Sequence, residues 1–63
     1  MWRMKVIFSG GTEEIFDERY YSKEEAEYDF EELYSNWDKY LEYNEELENQ
    51  YKGSPCDCHI WEE

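Results

Sequence analysis

In 63 residues the chain has one proline, three glycines and two cysteines. Each scarcity excludes something. With so little proline and glycine there is no Pro- or Gly-rich linker, no internal repeat and no second domain, so residues 1–63 read as one domain. Cys56 and Cys58 sit one residue apart, which is no disulfide framework. No apolar run approaches the ~18 residues of a membrane span. The start, Met1-Trp2-Arg3-Met4-Lys5-Val6-Ile7-Phe8, lacks the long apolar region and small-residue cleavage site of a signal peptide. The expectation is a soluble protein of a reducing cytoplasm. Basic residues are scarcest of all: six Lys and Arg against eighteen Asp and Glu give a net charge of −12. Nucleic acid and anionic membranes are poor direct partners for such a chain.

Aromatic residues are abundant, at 21% of the chain. High net charge with low mean hydropathy ordinarily means disorder. Thirteen Trp, Tyr and Phe side chains oppose that, because each buries a large area from few positions. A chain this short still buries only about 60% of the surface its unfolded form exposes, so its stability margin is thin.

Residues 1–8 alternate, with Trp2, Met4, Val6 and Phe8 on one face and Arg3, Lys5 and Ile7 on the other. That is a half-buried strand. Gly10-Gly11 permits the positive φ of a hairpin turn, and residues 14–21 resume strand composition. A two-residue loop would set Lys5 opposite Phe16 and Ile7 opposite Glu14. A three-residue loop over Gly10, Gly11 and Thr12 pairs Val6 with Phe16, Trp2 with Tyr20, Ile7 with Ile15 and Lys5 with Asp17. The second keeps like with like and is preferred, although it opposes Arg3 to Arg19.

Ser22-Lys23-Glu24-Glu25 is a capping box that opens a helix. Ala26, Phe30, Leu33, Trp37, Tyr40, Leu41, Leu47 and Tyr51 then recur at helical spacing within roughly a 120° arc, with Asn44 inside it. The phase predicts one helix from residue 23 to about 51, with Ser35-Asn36 as the one place for a break. Gly53 suits its C-terminal cap and Pro55 prevents continuation. Such a helix would be about 42 Å long and would overreach an eight-residue strand. Residues 56–61 can add a third strand with Cys56, Cys58 and Ile60 on one face. The predicted fold is α+β, in the order β-β-α-β: a small antiparallel sheet packed on one long acidic amphipathic helix.

Charge is concentrated on that helix. Residues 23–50 hold eleven acids against Lys23 and Lys39, while residues 1–22 are close to neutral. Glu24, Glu27, Glu31, Asp38, Glu42 and Glu45 form one stripe opposite the apolar arc, with a gap at Ser35. Like charges three and four residues apart destabilise a helix by a few tenths of a kcal/mol per pair. A merely solvated face would intersperse lysines and gain stability. This stripe reads instead as a surface that meets a basic partner, its carboxylates standing where a groove expects phosphates. Tyr34 and Tyr43, with Tyr28, lie off the apolar arc beside the stripe. Such rings can stack on arginine. The candidate partner-binding residues are therefore Glu24, Glu27, Glu31, Tyr34, Asp38, Glu42, Tyr43 and Glu45. The competing reading is a solubilising face on a small self-associating module, such as a homodimer.

Other chemistries fit poorly. Clustered carboxylates serve glycosidases and nucleases, but one exposed helix offers no cleft, so no catalytic residue is assigned. No cofactor motif is present, since Gly10-Gly11 belongs to a hairpin rather than to a phosphate loop. Cys56-x-Cys58-His59 has three zinc-type ligands at unusual spacing, and a strand would put His59 on the face opposite the thiols. Packing of small thiols is preferred to a metal or redox role, and no metal is assigned.

In size, charge and architecture the chain resembles small acidic phage-encoded inhibitors of bacterial defence, the anti-CRISPR proteins and anti-restriction DNA mimics. The resemblance implies a non-enzymatic inhibitor that acts in the cytoplasm of a bacterial host. It would bind the DNA- or RNA-binding surface of a basic partner, a Cas nuclease or another defence nuclease, where the PAM duplex or target would dock. That class has no shared motif, so no residue role is carried over from it.

Overall fold

The computed structural model describes residues 1–63. Two layers form it: a three-stranded antiparallel sheet and a run of three helices. The elements are β1 (Trp2–Phe8), β2 (Glu13–Ile15), α1 (Lys23–Ser35), α2 (Trp37–Tyr43), α3 (Glu46–Tyr51) and β3 (Pro55–Glu62), with sheet order β2-β1-β3. The architecture is α+β, as the alternation and the capping box predict.

β1 is central, and its alternation decides the core. Met4, Val6 and Phe8 are buried with Tyr20, Ala26 and Trp37, while Phe30, Leu33, Leu47 and Tyr51 pack against them from the helical layer. Fully burying a side chain of this size is worth about 1.5–3 kcal/mol. The aromatic rings supply much of the interior. Phe8 stacks on Tyr51 with centroids 4.5 Å apart and tilts against Trp37 at 5.7 Å. The opposite face of the sheet carries Arg3, Lys5 and Ile7 in β1 beside Asp57, His59 and Trp61 in β3, and no layer covers it.

The hairpin register differs from the expected one. Phe8 N–H donates to the Thr12 carbonyl at 2.8 Å, so the loop is Ser9, Gly10 and Gly11, and Lys5 pairs with Ile15, Val6 with Glu14 and Ile7 with Glu13. Trp2 nevertheless pairs with Tyr20. The two registers differ by two residues, and Asp17, Glu18 and Arg19 bulge out between them. Arg3 Nη2 stabilises the bulge by donating to the Phe16 carbonyl at 3.0 Å. A slip of two residues keeps every side chain on its expected face. The strand expected over residues 14–21 is accordingly short.

The single long helix is also corrected. It breaks at Asn36 and at Asn44, and the molecule's longest dimension, 32 Å, could not hold a straight helix of about 42 Å. Both asparagines compete for backbone hydrogen bonds. Asn36 Nδ2 donates to the Glu32 carbonyl at 2.9 Å, beside the Asn36 backbone N–H that uses the same acceptor at 3.0 Å. Asn44 is extended (φ −151°, ψ 93°), and its Oδ1 accepts from Glu46 N–H at 3.2 Å, satisfying a first-turn donor of α3.

The expected third strand forms, with one change. Cys58 and Ile60 face the helices opposite Val6 and Met4, but the register shifts between Ile7 and Phe8, which leaves Cys56 in a bulge and Pro55 buried opposite Phe8. The hairpin loop clasps the turn before β3. Ser9 N–H donates to the Ser54 carbonyl at 2.8 Å, and Ser54 N–H donates to Ser9 Oγ at 3.1 Å. A Cβ on Gly10 would overlap the Lys52 carbonyl, so the approach requires glycine there. No helix is long and apolar enough to cross a membrane.

Candidate functional site

The acidic face starts at the cap of α1. Ser22 is extended, and its Oγ accepts from Glu25 N–H at 3.2 Å, the forward half of the capping box. Glu24 and Glu25 occupy the first turn, where the helix dipole favours negative charge. Ala26 points into the core, and its burial fixes the rotation of α1. Glu24, Glu27 and Glu31 are thereby turned outward and exposed. Trp37 does the same for α2, leaving Asp38 and Glu42 exposed.

Asn36 joins the two helices without a large interruption, because Tyr40 N–H still reaches the Asn36 carbonyl at 3.2 Å. The stripe therefore divides between α1 and α2. Glu45 is exposed but lies beyond the extended Asn44, so it belongs to a separate turn and not to the helical row. Tyr34 is 56% exposed and Tyr43 is 91% exposed. Tyr34 and Asp38 line an open groove of about 350 Å³ with Pro55 and Cys56. All eight expected contact residues are solvent-accessible, and seven of them lie on two successive helices.

Ion pairing separates this face from the rest of the molecule. The three salt bridges are Arg3–Glu63 at 3.4 Å, Lys5–Glu13 at 3.0 Å and Arg19–Glu63 at 3.5 Å. All join the strands, the bulge and the C-terminus. No carboxylate between residues 23 and 50 has a basic partner within 4.0 Å. Asp29 alone among them has a clear internal role, accepting from the Tyr20 hydroxyl at 2.8 Å. Burial and the adjacent Asp29 carboxylate raise the Tyr20 phenol well above its ordinary range.

The cysteine-histidine segment does not converge. Cys56 is exposed in its bulge, with its thiol on the Ile7 carbonyl at 3.4 Å, and Cys58 is half-buried on the helical side. His59 points to the other face and stacks on Trp61 at 5.6 Å. The Cys58 thiol is pushed up by burial, then by Asp57 and Glu27. No three His, Cys, Asp or Glu side chains are grouped so as to hold a metal ion.

Sequence reasoning missed one feature. Where β2 meets the three helices there is a cleft of about 160 Å³ lined by Phe8, Phe16, Trp37, Tyr40 and Tyr51, with the Glu14 carboxylate among them. The available signal was a carboxylate at the inward parity of a strand, two residues before Phe16. No family model matches this chain, and no curated protein or solved structure matches it.

Proposed function

We propose that this protein is a non-enzymatic inhibitor that engages a basic nucleic-acid-binding protein, a Cas nuclease or other defence nuclease in the bacterial cytoplasm, through the acidic faces of α1 and α2. The observation that carries the reading is the unpaired state of the helical carboxylates, with every salt bridge of the molecule made elsewhere. Beyond the first turn of α1, where the helix dipole favours Glu24, such an acidic row costs helix stability without return inside the chain. A partner bearing Lys and Arg in a phosphate-binding groove would compensate that cost and would be steered to the same surface. Glu24, Glu27, Glu31, Asp38 and Glu42 take the places of phosphates, with Glu45 beside them. Tyr34 and Tyr43 supply rings for arginine stacking.

A second reading has its own support. The open sheet face exposes Ile15 at 53% diagonally across from Ile7, with Trp61 farther along the same face on β3, a surface suited to self-association in a small regulatory module. A salt series distinguishes the two. The protein is used to capture partners from bacterial lysate, retained proteins are identified by mass spectrometry, and binding is followed from low to moderate salt. Recovery of a nuclease or DNA-binding protein, lost steeply as salt rises, supports the inhibitor. Salt-insensitive dimerisation with no such partner supports the module.

A further inference from the structure

The cleft beside β2 is chemically distinct from the acidic stripe. Phe8, Phe16, Trp37, Tyr40 and Tyr51 line it on an aliphatic base of Leu33 and Leu47, and the only charged group among its lining residues is the half-buried Glu14. The rings are fixed against each other: Trp37 meets Tyr51 edge-on at 6.3 Å and lies 6.4 Å from Tyr40, while Phe8 stacks on Tyr51. Glu14 lies directly opposite Val6, which commits its side chain to the helical face of the sheet. It takes part in none of the salt bridges. The Glu14 carboxylate raises the pKa of the Tyr51 phenol across the cleft. A carboxylate held in an apolar site is costly unless a cation or several donors accompany it. Here no cation does so.

We propose that this cleft binds a quaternary or methylated ammonium cation of small-molecule size. Aromatic faces attract such a cation through their quadrupoles, and its methyl groups satisfy an apolar lining that a hydrated ammonium would not. Glu14 supplies the countercharge. The volume is on the order of that which holds a benzene ring, enough for a trimethylammonium head. The chain's net charge of −12 adds a general attraction for cations.

Choline tests this, with Trp fluorescence and the aromatic NMR resonances as readouts. Its uncharged carbon isostere 3,3-dimethylbutan-1-ol and methylguanidinium serve as comparison ligands. The expected result is saturable binding of choline, with shifts confined to the rings of the cleft and affinity for the neutral isostere lower by roughly tenfold or more. Glu14→Gln should weaken choline by a similar factor while leaving affinity for the neutral isostere unchanged. That unchanged affinity also establishes that the variant is folded. If the variant unfolds, the wild-type ligand ranking decides alone. Equal binding of choline and its isostere would overturn the proposal in favour of a merely apolar cleft. Tighter binding of methylguanidinium would overturn it in favour of a site for an arginine side chain. Absence of saturable choline binding would overturn it outright.

Discussion

Single residues set the stability of this small core and its sensitivity to pH. Trp37 is 7% exposed and touches Phe8, Tyr40 and Tyr51, so its truncation removes one wall of the interior. Trp37→Ala should cost about 3–5 kcal/mol, enough to unfold much of the population at 25 °C by thermal or denaturant melting. A melting curve close to wild type would mean that α2 is rotated away from the sheet. Tyr20 makes the pH prediction. Its folded pKa is raised, so the folded state holds the phenolic proton where the unfolded chain has released it. The stabilisation is complete below about pH 10, the ordinary tyrosine value, and is lost as pH rises beyond it. Tyr20→Phe should lose about 1.5 kcal/mol at neutral pH with the Asp29 hydrogen bond, and should show a shallower decline in stability as pH rises above about 10. Replacing both Cys56 and Cys58 with Ser should leave partner binding within about twofold of wild type, because the two thiols and His59 do not converge. Stoichiometric zinc in protein purified without added metal, lost in the double variant, would contradict that.

At the scale of elements, what could be read beforehand depended on whether the signal was periodic or positional. The alternation of β1, the Ser22 cap and the helix stop before Pro55 are local and lie where the residues predict them, except that Lys52 rather than Gly53 is the left-handed residue that caps α3. Faces were legible too, since parity survives a slip of two residues. The hairpin register was not. Matching like with like across the strands assumes continuous pairing, whereas the Asp17–Arg19 bulge lets Trp2 and Tyr20 meet in one register while Val6 and Glu14 meet in another. The helix breaks were hidden by phase. Asn36 and Asn44 preserve the helical spacing of their neighbours while their side chains take backbone partners, a competition that periodicity does not register. The exposed acidic row was legible because it depends on helix phase alone, and only Glu45 leaves it. The aromatic cleft brings residues of β1, β2 and all three helices together, which no local pattern encodes. One prediction belongs to the clasp between two turns. Gly10→Ala should destabilise the fold by about 1–3 kcal/mol, since its Cβ would displace the Lys52 carbonyl. An unchanged melting temperature would mean that the hairpin loop and the turn before β3 do not touch in solution.

Across the whole molecule, charge is partitioned. Arg3, Lys5 and Arg19 find acidic partners around the sheet, while the helical layer carries its carboxylates without any. A fold of 63 residues with a thin margin holds that repulsion in reserve. That reserve is the proposed binding surface. The most direct test is one variant, Glu27→Lys, Glu31→Lys, Asp38→Lys and Glu42→Lys together, which changes the charge of the exposed face by eight units, two for each substitution. Because all four positions are solvent-exposed and unpaired, the variant should melt at or above the wild-type temperature. Measured by association kinetics against the captured partner, binding should be abolished, with the on-rate falling first as steering turns to repulsion. A folded variant that still binds and inhibits at the wild-type rate would contradict the claim.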